Sequence, residues 1–257
     1  MVVPPVTLHA DLDWSCYAGK KHQHPWFILS MLLLAEAGYR LFVHGSTGHT
    51  QGRLYTEHAM RQLNLPVAMH WTQVSEQLER ENLSYLPLEN YCQPLQELMQ
   101  LRHLLGLRSP VNTLSRMLNP LHATASLQSI FHPAYARLHQ EADLLLEQPR
   151  ALVFKGESGE VEVKPHADTR LSLLSDKQLQ EIALPRYLTQ RVESVVSPSV
   201  EPVRSLWRGS TSNHYGLSAT LATTAAALLV LVPEISLESA QQQASKMWNS
   251  RDSTRLT

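Results

Sequence analysis

"VTLHADLDWSCYAGKKHQHPWFILSMLLLAEAGYRLFVHG", Val6–Gly45, is the stretch that decides the fold. Its first eight residues alternate apolar and polar side chains, as a one-sided strand does. "HPWFILSMLLLAEAG" follows and reads as a helix closed by Gly38. "YRLFVHG" is a short apolar run of the kind found in a strand covered on both faces. Strand, helix and strand in this order make a βαβ unit, and repeats of that unit build a parallel sheet with crossover helices.

The unit repeats outward along the chain. A helix is predicted over 55–64, a short strand at "PVAMHW", a helix over 72–82 and a strand at "LSYLPL". From Pro94 the pattern changes, because "PLQELMQLRHLLGL" and "VNTLSRMLNPL" read as two consecutive helices punctuated by Gly106 and Pro110. "LQSIFHP", a helix at "AYARLHQEADLLLEQ" and the strand "RALVFKG" resume it. "EVEVKP" and "TRLSLL" are expected to form a β-ribbon, 185–202 a surface connection, and 201–208, 213–231 and 236–250 three closing helices. The expected organisation is 1–93 as the first part of an α/β domain, 94–122 as a helical insertion belonging to a small domain, and 123–257 as the rest.

With 257 residues and 43% apolar content the chain can bury a full core. A net charge of -1 excludes a uniformly basic surface, so any contact with nucleic acid has to come from a local patch. Two cysteines, Cys16 and Cys92, with no C-x-x-C, exclude a disulfide framework and point to a reducing, cytoplasmic setting. The first residues lack the charged and apolar regions of a signal peptide. The longest uncharged run, "GLSATLATTAAALLVLVP", is rich in Thr and Ala and reads as a buried helix rather than a membrane span.

Several residue groups suggest an anion site. From Leu98 to Gln140 there is no Asp or Glu, while Arg102, Arg108, Arg116, Arg137 and four histidines occur. A solvated face would interleave both signs, so this island reads as a local anion site, with Asn112 inside it. The second strand runs into "HGSTGHTQGRLYTE", in which His44, Gly45 and Arg53 precede a helix start. Glycines there let backbone N–H groups approach a phosphate, although a plain surface turn has the same composition and the spacing is neither that of a P-loop nor that of a dinucleotide fingerprint. Lys20 and Lys21 follow the first strand. At the carboxyl ends of neighbouring parallel strands they would face the same anion, the ordinary alternative being two solvated lysines. "HQH" without a third ligand is a poor zinc signal, and Cys16, with no paired base, reads as a structural thiol. Glu160 and Glu162 would share one face of a strand, as an acidic pocket or, more simply, a solvated edge. No catalytic residue is identifiable from the residues alone.

"LQELMQLRHLLGLRSPVNTLSRMLNP" resembles a stretch of anthranilate phosphoribosyltransferase, of glycosyl transferase family 3, at Arg102, Gly106, Arg108, Asn112, Asn119 and Pro120. "LFVHGSTGHTQGRLYTEHAMRQLNL" is similar to that family's glycine loop and following helix, and "RALVFKGESGEVEV" to its late strand and acidic turn. The order and spacing fit over residues 6–250. The resemblance implies a nucleoside phosphorylase/phosphoribosyltransferase-like fold, α/β with a mostly parallel sheet and a small helical subdomain. It also implies a homodimer, and phosphoribosyl pyrophosphate and Mg²⁺ at the site. The chain begins about where the family's sheet domain starts, so the helical segment that builds much of the small domain and dimer contact falls outside it.

Three departures from the enzymes stand out. Their Gly-Thr-Gly-Gly-Asp loop is "DWSCYAGK" here; their Lys-His-Gly-Asn is Val43-His44-Gly45-Ser46; and their Asp-Glu pair for magnesium is Val161-Glu162, leaving Glu162 as a weak metal ligand. These replacements resemble a second, TrpD-like branch of the family in which a Tyr-x-Gly-Lys/Arg loop stands in place of the glycine loop. For that branch the resemblance implies binding of single- or double-stranded nucleic acid. Three expectations result: a phosphate-binding protein on a degenerate scaffold, using Lys20, Lys21, Arg53, Arg102, Arg108 and Arg116; an active pentosyl transferase; or a paralogue that folds and has lost both roles.

Overall fold

The structure, a computed structural model, describes residues 8–48, 50–101 and 110–256 together with residues 4 and 104. Arg102, Gly106 and Arg108 lie outside the described residues. Seven strands form one sheet in the order β3-β2-β1-β4-β5-β6-β7. Here β1 is Leu12–Cys16, β2 Leu41–Gly45, β3 Leu83–Pro87, β4 Ala125–Ile130, β5 Arg150–Lys155, β6 Thr169–Ser175 and β7 Gln178–Leu184. The first five strands in that spatial order pair in parallel, and β6 and β7 are antiparallel additions at one edge. This is the α/β architecture expected from the sequence.

The period of two along the central strands separates two cores. Leu12, Trp14 and Cys16 of β1, with Leu41 and Val43 of β2, face an apolar layer built from α1 (Phe27–Glu36) and α8 (His214–Leu231). Every residue of α1 from Phe27 to Ala35 is buried, and each large apolar side chain there contributes about 1.5–3 kcal/mol relative to exposure. Helix α8 is the one described helix long and apolar enough to cross a membrane, and most of it is buried between α1, β5 and the last helix, α9 (Leu237–Ser250). Phe42 faces the other way, against a second apolar cluster with Val74 and Leu78 of α3 (Trp71–Glu81) and Met99 of α4 (Gln93–Gln100). Helix α2 (Thr56–Gln62) follows β2, α5 (Val111–Leu114) is a single turn continued by a 3-10 turn, α6 (Tyr135–Leu145) joins β4 to β5, and α7 (Glu201–Arg208) precedes α8.

Two strand expectations are corrected. "EVEVKP" does not join a ladder; Val161 and Val163 are buried as irregular chain, with the Val163 N–H donating to Thr223 Oγ1 at 2.9 Å. The ribbon is β6 with β7, closed by Asp176 and Lys177 at φ 51 and 61. Both turn residues are left-handed without a glycine, so the usual hairpin signal is missing from the sequence. "PVAMHW" supplies only an isolated bridge, from Val67 to Tyr85.

Helix α6 packs on β5 and β6 and reaches β4 through polar contacts to Gln128. Gln128 Nε2 donates to Asp143 Oδ1 and Oδ2 at 3.0 and 3.1 Å, and its Oε1 faces His139 Nδ1 at 2.8 Å. Burial lowers His139 to about 4 and raises Asp143 to about 7. A carboxyl whose folded pKa is raised binds its proton more tightly when folded. Its stabilising contribution is therefore complete below the unfolded value and is lost as pH rises through about 7. Asp143→Asn, which cannot ionise, is expected to gain thermal stability relative to the parent as pH is raised from 4 to 8. Melting curves at matched ionic strength check this; a difference independent of pH would contradict the burial assignment.

Candidate phosphate site

The strand order reverses between β1 and β4, so the loops that leave the carboxyl ends of these two strands diverge and open a crevice. The loop after β1 is held from inside the protein. Glu160 Oε1 accepts the backbone N–H of Ala18 at 2.8 Å and that of Gly19. Glu162 Oε1 accepts Lys20 Nζ at 2.5 Å, and its Oε2 accepts the Phe27 N–H at 2.9 Å. Lys20, Glu160 and Glu162 have no exposed surface. Burial pushes both carboxyls up; Lys20 opposes this most strongly at Glu162 and Arg116 at Glu160. Successive backbone N–H groups of this kind are a ready anion site, and here the anion is a carboxylate of the chain itself.

Arg53 braces the outside of the same loop. Its Nη1 donates to the carbonyls of Ala18, Gly19 and Ser158 at 3.1, 2.8 and 3.2 Å. Arg116, expected as an anion ligand, is buried, and its Nη1 donates to Ser129 O, Ser129 Oγ and Gly159 O at 3.1, 2.9 and 2.7 Å. It therefore ties β4 to the loop after β5. The expected solvated edge at Glu160 and Glu162 is likewise replaced by two interior carboxylates.

His44 and Gly45 end β2 in the interior. A Cβ on Gly45 would lie 2.0 Å from the Cys16 carbonyl oxygen, so only glycine fits. His44 Nε2 lies 3.1 Å from Asp13 Oδ2, and its Nδ1 lies 2.7 Å from the Tyr17 hydroxyl and 3.0 Å from that of Tyr91. The ring therefore bridges Asp13 on one side and the two tyrosine hydroxyls on the other. Burial raises the Asp13 carboxyl, against the pull of His44. Tyr17 thus covers the histidine from the loop after β1.

The solvent-facing cations gather just outside these internal contacts. Lys21, Arg53, Lys155, Lys164, His166 and Arg191 line a cavity of about 430 Å³, in which Glu157 is the one lining carboxylate among the described residues. Glu157 is paired with Lys164 at 3.3 Å, and among the described residues no carboxylate lies within ion-pair distance of Lys21, Lys155 or Arg191. A neighbouring cavity of about 760 Å³ shares Lys155, Lys164, His166 and Arg191. Lys21 and Arg53 line this cavity together, while Lys20, His44, Gly45 and Arg116 are interior. Asn112 lines a different cavity, of about 530 Å³. Lys155 ends a predicted parallel strand, and the rule that singled out Lys21 would have found it. Arg191 sits in the irregular connection 185–202, where periodicity gives no signal.

The family model described as "Glycosyl transferase family, a/b domain" matches residues 28–250. The chain belongs to that family. It is 24% identical over 176 residues to the uncharacterized protein YbiB of Escherichia coli (strain K12), covering 67% of this chain and 54% of that protein. It is 26% identical over 152 residues to the anthranilate phosphoribosyltransferase of Ralstonia pickettii (strain 12J), covering 59% and 44%. The chain spans about half the length of these relatives. Its fold superposes on anthranilate phosphoribosyltransferase from Thermus thermophilus with a TM-score of 0.76 at 18% identity, over 98% of this chain and 78% of that one. The Saccharomyces cerevisiae enzyme, solved in complex with PRPP and Mg, gives 0.76 at 16% identity over 99% and 73%.

A magnesium ion does not fit the residues that the resemblance assigns to it. Glu162 already holds an ammonium and an N–H, its neighbour is Val161, and no group of three potential metal ligands occurs among the described residues. Lys20→Met removes the cation and leaves Glu162 buried without its partner. The expected cost is about 3–5 kcal/mol. Glu162→Gln keeps an acceptor for the Phe27 N–H, so the double variant should recover most of that loss in urea unfolding. If Lys20→Met were as stable as the parent, the ion pair would not be holding the loop.

Proposed function

We propose that this chain binds the phosphate groups of nucleic acid or of a nucleotide in the cavity lined by Lys21, Lys155, Lys164 and Arg191, on a degenerate phosphoribosyltransferase scaffold. The observation that carries the reading is the division of charge. The loop's inward N–H groups and Lys20 are satisfied by Glu160 and Glu162, whereas Lys21, Lys155 and Arg191 are left facing a cavity with one paired carboxylate. Phosphoribosyl transfer relies on positioning and on stabilising the departing pyrophosphate, and a loop closed on its own carboxylates offers neither. A cytoplasmic location and a homodimer belong to the same reading.

A second reading, phosphoribosyl transfer to an aromatic amine or base, is favoured by the likeness to a fold solved with PRPP and Mg. Titration of the protein with phosphoribosyl pyrophosphate plus Mg²⁺, beside a single-stranded oligonucleotide, separates the two. The first reading expects salt-dependent binding of the oligonucleotide and none of the sugar pyrophosphate; the reverse pattern supports the second. On single strands the slope of log K against log salt is about -0.7 per phosphate contacted. Lys155→Ala and Arg191→Ala should each make it shallower by about that amount, while Arg116→Ala should leave the slope unchanged and lower stability. An unchanged slope in both surface variants would remove the cavity from the binding site.

A further inference from the structure

We infer that the nucleic acid taken by this cleft is single-stranded, and that its bases stack on Phe131 and Tyr135. The inference rests on the phosphate-binding reading and adds the class of strand. Phe131 and Tyr135 are 49% and 47% exposed, so both rings are open to a partner. Phe131 is the first residue after β4, on one side of the point where the strand order reverses, and Tyr135 opens α6. His132 lies between them, its ring centroid 5.0 Å from that of Phe131 and 6.2 Å from that of Tyr135, both in edge-to-face rather than stacked contacts.

Phe131 is also the residue at which two cavities meet. One is the 430 Å³ basic cavity, and the other is the 530 Å³ cavity walled by Asn112, Leu114, Ile130, Tyr135 and Leu138. One side of Phe131 therefore offers ammonium and guanidinium groups, and the other offers aromatic and aliphatic surface with few charges. That is the chemistry of an unpaired nucleotide strand, which carries a phosphate on one edge and a flat apolar face on the other. In a duplex the base faces are already stacked on one another, so these rings would have nothing to contact. Among the described residues the one carboxylate lining either cavity, Glu157, is engaged with Lys164, which offsets its repulsion of the backbone.

The test is fluorescence anisotropy with a labelled oligothymidine and a labelled hairpin duplex, each titrated over a salt series. The parent is expected to prefer the oligothymidine. Phe131→Ala/Tyr135→Ala should weaken that binding roughly tenfold or more per lost stacking partner, with the salt slope and the hairpin affinity unchanged. Tyr135→Phe should bind as the parent does. Both positions are exposed, and matched melting curves establish that the variants are folded. Undiminished oligothymidine binding by the double variant, or an equal loss on the hairpin, overturns the inference while leaving the phosphate reading intact. A double variant that keeps its oligothymidine affinity and instead changes its sedimentation assigns the rings to a second copy of the chain, and also overturns it. Failure of the parent to bind either probe in a salt-dependent way is failure of the phosphate reading itself.

Discussion

The contact between Lys20 and Glu162 is the constraint on which the rest of the site depends. An ammonium and a carboxylate with no solvent exposure are tolerable only together, because either one alone would be a buried, uncompensated charge. Their pairing fixes the loop after β1 against the segment after β5. The second oxygen of the same carboxylate receives the Phe27 N–H, so the first turn of α1 is set by the same residue. Glu160 repeats the arrangement one step away on Ala18 and Gly19, and Arg53 and Arg116 brace the two loops from either side.

This inward use of charge decides what is left for a ligand. Lys20 and Lys21 are adjacent in sequence but opposite in fate: one neutralises an interior carboxylate, the other lines the basic cavity beside Lys155 and Arg191. The same holds at the end of β2, where His44 is enclosed by Asp13, Tyr17 and Tyr91 instead of facing the crevice. The space between the loops after β1 and β5 is thereby filled with side chains of this chain, and the remaining cations lie outside that filling.

The fold was largely legible. The β1-α1-β2 unit and the three closing helices have strong, long periodic signals, and their observed bounds fall close to those read from the sequence. The β6–β7 ribbon was not, because its Asp176-Lys177 turn takes left-handed angles without the glycine or asparagine that advertises them. The site was legible only in part. Lys21 and Arg53 follow from the rule that ligands sit at strand carboxyl ends, but no local pattern reveals that Glu160 and Glu162, some 140 residues later, turn inward to meet the first loop. The acid-free island around Arg116 misled for the same reason: its charge is balanced by Glu160 and by carbonyl groups that are distant in sequence.

Amine-reactive labelling read residue by residue is the most direct test of this division of charge, because the chain has only six lysines and they fall into three classes. Lys20 should stay unlabelled in the folded protein with or without a bound oligonucleotide. Lys21, Lys155 and Lys164 should be labelled in the free protein and protected in the complex. Lys177 in the β6–β7 turn and Lys246 in α9, both exposed, should be labelled equally in both states. Labelling of Lys20 in the free folded protein, together with its protection by ligand, would mean that the loop is open to the crevice and would contradict the inward pairing of Lys20 with Glu162.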